Sequence, residues 1–143
     1  MAGLTLDTGA LIALERGDTR MSKVFARAAE CALTLTVPMV VVAEWWRGSS
    51  RRVAWILDSC DLEAMDEALA KAAGEALQAI GRATTIDAIV MASAARRGDL
   101  VYTSDFDDLT RLAAHFPSVR VLSVDEPPPS TSRKPPARGR PRR

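Results

Sequence analysis

Four carboxylates stand in windows where a charge is out of place: Asp7 in GLTLDTGALIAL, Glu44 in PMVVVAEWW, Asp87 in ATTIDAIVMASAA, and Asp105 where the apolar run LVYTS ends. An unpaired charge in a low-dielectric interior is costly, so an acid in such company needs a helix cap, a basic partner or a cation. Capping can account for some of them singly. Asp7 and Asp105 each sit where a helix can begin, and Thr84 with Asp87 has the spacing of a capping box, with Asp in place of the usual Glu or Gln. Glu44 fits capping least. The pattern places it about two turns into a helix, past the free N–H groups, among Val41, Val42, Ala43, Trp45 and Trp46, with Arg47 as a local partner. Taken together, two strand-end aspartates, a mid-helix glutamate and an aspartate in a helix's first turn can converge on one point furnished only with hard oxygen donors. Such a point suits Mg²⁺ or Mn²⁺.

Other chemistries are poorly supplied. The only histidine, His115, precedes Pro117 in what reads as a last helical turn, where it serves as a solvated or dipole-pairing residue. Cys31 and Cys60 fit no zinc or CxxC spacing and read as small apolar residues. No serine or threonine has an obvious base, and no Gly-rich phosphate loop is present.

The elements that must position these acids emerge from periodicity. TTIDAIVMASAARRGDLVYTSDFDDL reads as a helix, a stop at Gly98, a short buried strand Leu100 to Tyr102, and the start of another helix. Gly3 to Leu6 makes a first strand ending at Asp7, followed by a helix over Thr8 to Glu15 and a second, capped by Asp18 or Thr19, to about Ala32. Leu33 to Val37 is the next strand, and Pro38 suits the first turn of the helix PMVVVAEWWRG. Ser49 or Ser50 caps a fourth helix, Asp61 to Met65 is a weak strand-like link, and Asp66 caps a long amphipathic helix ended by Gly81. A helix from Phe106 to His115 and a strand through Val119, Val121, Leu122 and Val124 complete the pattern. Strands alternating with helices imply an α/β domain, three layers deep, with a mostly parallel central sheet. In such a sheet, sites form outside the carboxyl ends of the strands, where Asp7 and Asp105 fall.

At 143 residues and 48% hydrophobic content, one domain over residues 1 to 126 can bury its own core. Mean hydropathy is near zero, and neither a membrane-length apolar run nor a leader is evident, so a cytoplasmic location is expected. The formal charge of +1 conceals an asymmetry: residues 1 to 126 hold 13 Lys/Arg and 18 Asp/Glu, a balance of −5, while residues 127 to 143 hold six basic residues and no acid. Six of the eight prolines lie in that last stretch, which is expected to be a disordered tail. Two roles compete for it, sequence-blind phosphate contact and mere solvated extension.

In LDTGALIALE, VVVAEWWRG, TTIDAIVMASAARRG and VYTSDFDDL, taken in order, the chain resembles the PIN-domain ribonucleases, and within them the VapC-type toxins of bacterial toxin–antitoxin pairs. The resemblance covers roughly residues 3 to 124, leaving the tail outside. It implies a Mg²⁺- or Mn²⁺-dependent endoribonuclease in which Asp7, Glu44, Asp87 and Asp105 are the catalytic, metal-holding residues, with Asp108 at a further acidic position. It also implies an RNA substrate, a homodimer, and a VapB-type antitoxin covering the acidic groove. Thr8, Thr103 and Ser104 are candidate donors to the carboxylates, and Arg16, Arg47, Arg51, Arg52, Arg96 and Arg97 candidate rim cations. Trp45, Trp46 and Trp55 suit packing better than base stacking. The competing readings are a housekeeping RNA-processing nuclease and a non-catalytic module, PIN-like or receiver-like. The receiver form would need a paired acid after the first strand and a late lysine, whereas only Asp7 follows that strand and the folded part has just Lys23 and Lys71.

Overall fold

The computed structural model of the chain describes residues 2 to 125; the tail, residues 127 to 143, lies outside the described residues. The elements run β1 (Leu4–Leu6), α1 (Thr8–Glu15), α2 (Thr19–Glu30), β2 (Leu35–Pro38), α3 (Met39–Trp45), α4 (Arg51–Asp58) and β3 (Asp61–Glu63). They continue with α5 (Glu67–Ile80), α6 (Thr85–Arg97), β4 (Leu100–Thr103), α7 (Phe106–Ala113) and β5 (Arg120–Ser123). Every strand is three or four residues long and separated from the next by at least one helix, the spacing that a parallel crossover needs. The sheet order is β3-β2-β1-β4-β5, with all four pairings parallel.

From β1 the chain moves outward to β2 and β3, then crosses back to β4 and β5. Right-handed crossovers therefore place α1 to α4 on one face and α5 to α7 on the other, giving the expected three layers. Accordingly α1 packs on α2, α3 and α4, and α6 on α5 and α7. The central strand and α6 are buried throughout their cores: Leu4, Leu6, Val37, Val90, Met91 and Val101 fill the space beside the sheet. No helix among the described residues is long and apolar enough to cross a membrane.

Helix ends carry the expected chemistry. Asp18, Ser50, Asp66 and Thr84 accept first-turn N–H groups, and Gly81 and Gly98 end α5 and α6 in the left-handed region.

Two local expectations change. Pro38 closes β2 opposite Glu63 and stands before α3 instead of inside it, at φ −60° and ψ 140°, extended geometry that its ring permits. α3 ends at Trp45, because Trp46 turns extended (ψ 127°) ahead of Gly48 (φ 120°). Glu44 is thus the penultimate residue of a seven-residue helix and is exposed, not buried mid-helix among apolar neighbours.

Candidate metal centre

Topology gathers the acids at one edge. Asp7 comes directly after β1, and β1 pairs with β4 through Leu6↔Tyr102, so the residues after the two strands are neighbours. Asp105 lies two residues beyond Thr103, the end of β4. α6 packs on β1 and on α3, which brings its first-turn Asp87 to the same edge and Glu44 on α3 toward it.

Thr103 ties the two strand ends together. Its hydroxyl donates to Asp7 Oδ2 and accepts the Asp105 N–H at 2.8 Å. Asp7 also accepts the Ala10 N–H at 2.9 Å, so it caps α1 while remaining in the acidic group. Asp105 occupies the cap position of α7 but makes no side-chain cap bond, which leaves its carboxylate available. Asp87 makes half of a capping box: its N–H donates to Thr84 Oγ1 at 3.1 Å.

The seam between α1 and the β4 loop is tight. A Cβ on Gly9 would lie 1.9 Å from Ser104 Oγ, so only glycine lets the first turn of α1 close on that loop. Beside it, Thr8 Oγ1 is buried with no hydrogen-bond partner among the described residues.

The electrostatics set these acids apart. Burial pushes the Asp7 carboxyl up to about 6, against the opposing hydrogen bonds from Thr103 and Ala10 and with the charges of Asp105 and Asp87 adding to the rise. Asp87 is also raised, first by burial, with Asp105, Asp108 and Glu44 contributing and the Thr84 hydroxyl opposing. All five acids therefore share one field. Asp108 alone among them forms an ion pair, with Arg111 at 3.2 Å. Arg47 does not partner Glu44; its guanidinium donates to the carbonyls of Ala43 and Trp46.

Among the described residues no three His, Cys, Asp or Glu side chains already stand close enough to hold an ion. The donor chemistry nevertheless fits Mg²⁺ or Mn²⁺: oxygen only, with two carboxylates buried without a basic partner and two exposed ones, Asp105 and Glu44.

Several expected rim cations are committed elsewhere. Arg96 binds Asp66 at 2.5 Å and Glu63 at 3.5 Å, and Arg52 Nε donates to Leu14 O. Arg97 contacts Glu63, Asp99, Thr5 and Ser93. Arg16 and Arg47 do line an open hollow of about 530 Å³ beside Glu44, together with Ile12, Glu15 and Trp45. Trp45 is buried, with its Nε1 bonded to Glu15 at 2.8 Å, while Trp55 leans on Phe25 with ring centroids 5.0 Å apart. Sequence reasoning misses Asp99, which is 1% exposed and accepts from Gly3 N and Thr5 Oγ1, both at 2.8 Å. Those partners lie 94 to 96 residues away, so no local signal marks it.

Known proteins agree with this architecture. The family described as PIN domain matches residues 4–115. Among solved structures, VapBC2 from Rickettsia felis, bound to a promoter DNA fragment, aligns at TM-score 0.68 and 15% identity over 85% of this chain and 98% of that one. A toxin–antitoxin complex from Klebsiella pneumoniae aligns at TM-score 0.60 and 17% identity, covering 82% and 95% of the two chains. FitAcB from Neisseria gonorrhoeae gives 0.55 and 16%, over 83% and 96%. At these identities the likeness is one of fold. No curated protein matches the sequence.

Proposed function

The chain belongs to the PIN-domain family, and from that premise we propose that it is a Mg²⁺- or Mn²⁺-dependent endoribonuclease toxin, restrained by a VapB-type antitoxin and working in the cytoplasm as a homodimer. One observation carries the nuclease reading. Asp7 and Asp87 are buried at the carboxyl edge of a parallel sheet, within the field of the exposed Asp105, and no basic side chain offsets them.

Asp7, Glu44, Asp87 and Asp105 would hold the cation, with Asp108 beside them. When bound, the cation supplies positive charge against a phosphate oxygen and makes a neighbouring water more acidic. The chain's own residues do the positioning. Thr103 ties Asp7 and the start of α7 into one hydrogen-bonded unit, and Gly9 lets α1 close against Ser104 beside it. Asp105 and Glu44, the exposed members, would orient a water or adjust to the substrate phosphate. Burial of Asp7 and Asp87 strengthens their pull on a cation relative to exposed acids. The antitoxin reading draws on the toxin–antitoxin complexes that share the fold, and the homodimer reading on the family resemblance alone.

The test pairs metal with mutation. RNA cleavage should appear on titrating Mg²⁺ or Mn²⁺ and vanish with chelator, and Asp87→Asn should lower it by at least about 100-fold while the fold persists. Asn caps about as well as Asp, so a purely structural Asp87 would tolerate the change. Full activity in Asp87→Asn with an unchanged melting curve would remove Asp87 from the site.

A further inference from the structure

Glu44 belongs to two places at once. Its charge is among those acting on Asp87, and it also lines the open hollow with Ile12, Glu15, Arg16, Trp45 and Arg47. The hollow therefore adjoins the carboxylates and brings two exposed guanidinium groups next to them. Asp7 and Arg16 cap opposite ends of α1, which sets them about 14 Å apart at about 1.5 Å per residue. A phosphate held by Arg16 is then further along the strand than the phosphate at the carboxylates.

Neither arginine is spent on an acid. Among the described residues Arg96, Arg97, Arg111, Arg27 and Lys71 have carboxylate partners, whereas Arg16 and Arg47 have none within ion-pair distance. Arg47 Nη1 donates to the Ala43 and Trp46 carbonyls at 3.4 and 2.7 Å, which anchors the guanidinium at the end of α3 with Nε and Nη2 unused among the described residues. Glu15, the other acid of the hollow, accepts from Trp45 Nε1 at 2.8 Å. Arg52 Nε donates to the Leu14 carbonyl at 2.8 Å, so a third cation sits against the end of α1 and offsets the negative end of the helix dipole, which would otherwise oppose an anion there. Guanidinium forks with free N–H groups match the oxygens of a phosphate.

Resting on the nuclease reading, we infer that Arg16 and Arg47 form a second phosphate subsite in this hollow, seating an RNA phosphate that flanks the one to be cleaved. The ligand is the sugar–phosphate backbone, a polyanion long enough to touch the hollow and the carboxylates together. Contacts to a flanking phosphate are made equally in the bound substrate and in the transition state, so the pair sets KM and the minimum substrate length and leaves kcat to the carboxylates. Backbone contacts carry no base information, so the choice of cleavage position does not depend on it. The competing role for both arginines is at the helix ends alone, as cations against the last carbonyls of α1 and α3. That role touches stability and leaves RNA binding alone.

The experiment compares the full chain with the double variant Arg16→Gln, Arg47→Gln. A control, Arg27→Gln with Arg120→Gln, removes the same charge at the opposite, amino edge, where α2 leads into β2 and β5 begins. Binding of a single-stranded RNA oligonucleotide is measured at several salt concentrations in chelator, and cleavage of the same RNA is measured in Mg²⁺ or Mn²⁺. Loss of the two contacts should flatten the log–log salt dependence by about 1.4, at about 0.7 per contact. KM should rise about tenfold with kcat within about twofold of the parent's. Shortening the RNA from the end that seats in the hollow should raise KM for the parent by a similar factor and leave the double variant unchanged. Lysine at both positions keeps the charge and should restore most of the slope, which separates lost contacts from a damaged fold. An unchanged slope overturns the inference and leaves the arginines to the helix ends. An equal loss in the control overturns it too, since net charge alone would then be acting, and so does a fall in kcat with KM unchanged. If the parent binds RNA but never cleaves it with metal, the nuclease reading fails, while the slope comparison still decides the subsite. If the parent cleaves and the slopes agree, the subsite alone is lost, and a parent that binds no RNA overturns both.

Discussion

Asp7 and Asp99 are buried almost equally, at 4% and 1% exposure, and each flanks a strand by one residue, yet the fold treats them in opposite ways. Asp99 has a backbone N–H, a hydroxyl and the Arg97 guanidinium around it, the last at 2.9 Å. Arg97 in turn reaches Glu63, Thr5 and Ser93, stitching the C-terminal end of α6 to three strands or their ends. Asp7 has only neutral donors, Thr103 and Ala10, and two further acids in its field; its carboxyl is pushed up to about 6. Burial of an acid is therefore no sign of chemistry by itself. An acid buried without a fixed cation is.

Breaking the compensated pair should have the larger effect on stability. Arg97→Ala would leave Asp99 buried without its guanidinium and cost about 3–5 kcal/mol in urea or thermal unfolding. A melting curve like the parent's would show that the network is ornamental and that the contrast with Asp7 has no energetic basis. Asp7→Asn should act in the opposite direction. In metal-free protein the folded carboxyl titrates near 6 against 3.8 for an ordinary aspartate, so folding is penalised fully above about pH 6 and not at all below 3.8. The variant should accordingly be more stable by about 1–3 kcal/mol at pH 7.5, with the gap closing as pH falls from 6 toward 4. A stability gap that is flat with pH would mean that desolvation of Asp7 is not its source. Glu44→Gln should give the smallest change. Being exposed at the end of α3, it should alter stability by less than about 0.5 kcal/mol and weaken Mn²⁺ binding by roughly tenfold. Parent-like Mn²⁺ affinity would place Glu44 outside the group that holds the ion.

Most of the fold is legible in the sequence because its signals are local. Asp18, Ser50, Asp66 and Thr84 cap where the pattern puts them, Gly81 and Gly98 stop their helices, and strands alternating with helices leave parallel pairing as the outcome. The placement of Asp7 and Asp105 comes from the same alternation, since strand ends in a parallel sheet share one edge. Features that escape a local reading depend on distant contacts or on a break in the pattern. Glu44 reads as buried because VVVAEWW is apolar on both sides, but Trp46 leaves the helix and exposes that turn. Arg96 and Arg97 read as solvated rim charges because their partners Glu63 and Asp66 lie 30 to 34 residues earlier. Asp99, in the turn ARRGD, carries no mark of its place under the sheet.

The register Leu4↔Leu100 also has a meaning in time. Synthesis lays down β1 first, and its partner β4 only after some ninety further residues, so the nascent chain holds Asp7 long before Asp105 can stand beside it. β1 can meet β2 early, across about thirty residues, but the other side of the central strand stays open until α5 and α6 have been made. Pairings so far apart in sequence close slowly and late in folding. The carboxylate edge is thus absent from every nascent chain that has not yet reached β4, and Asp7 spends that interval beside an open strand instead of beside Asp105.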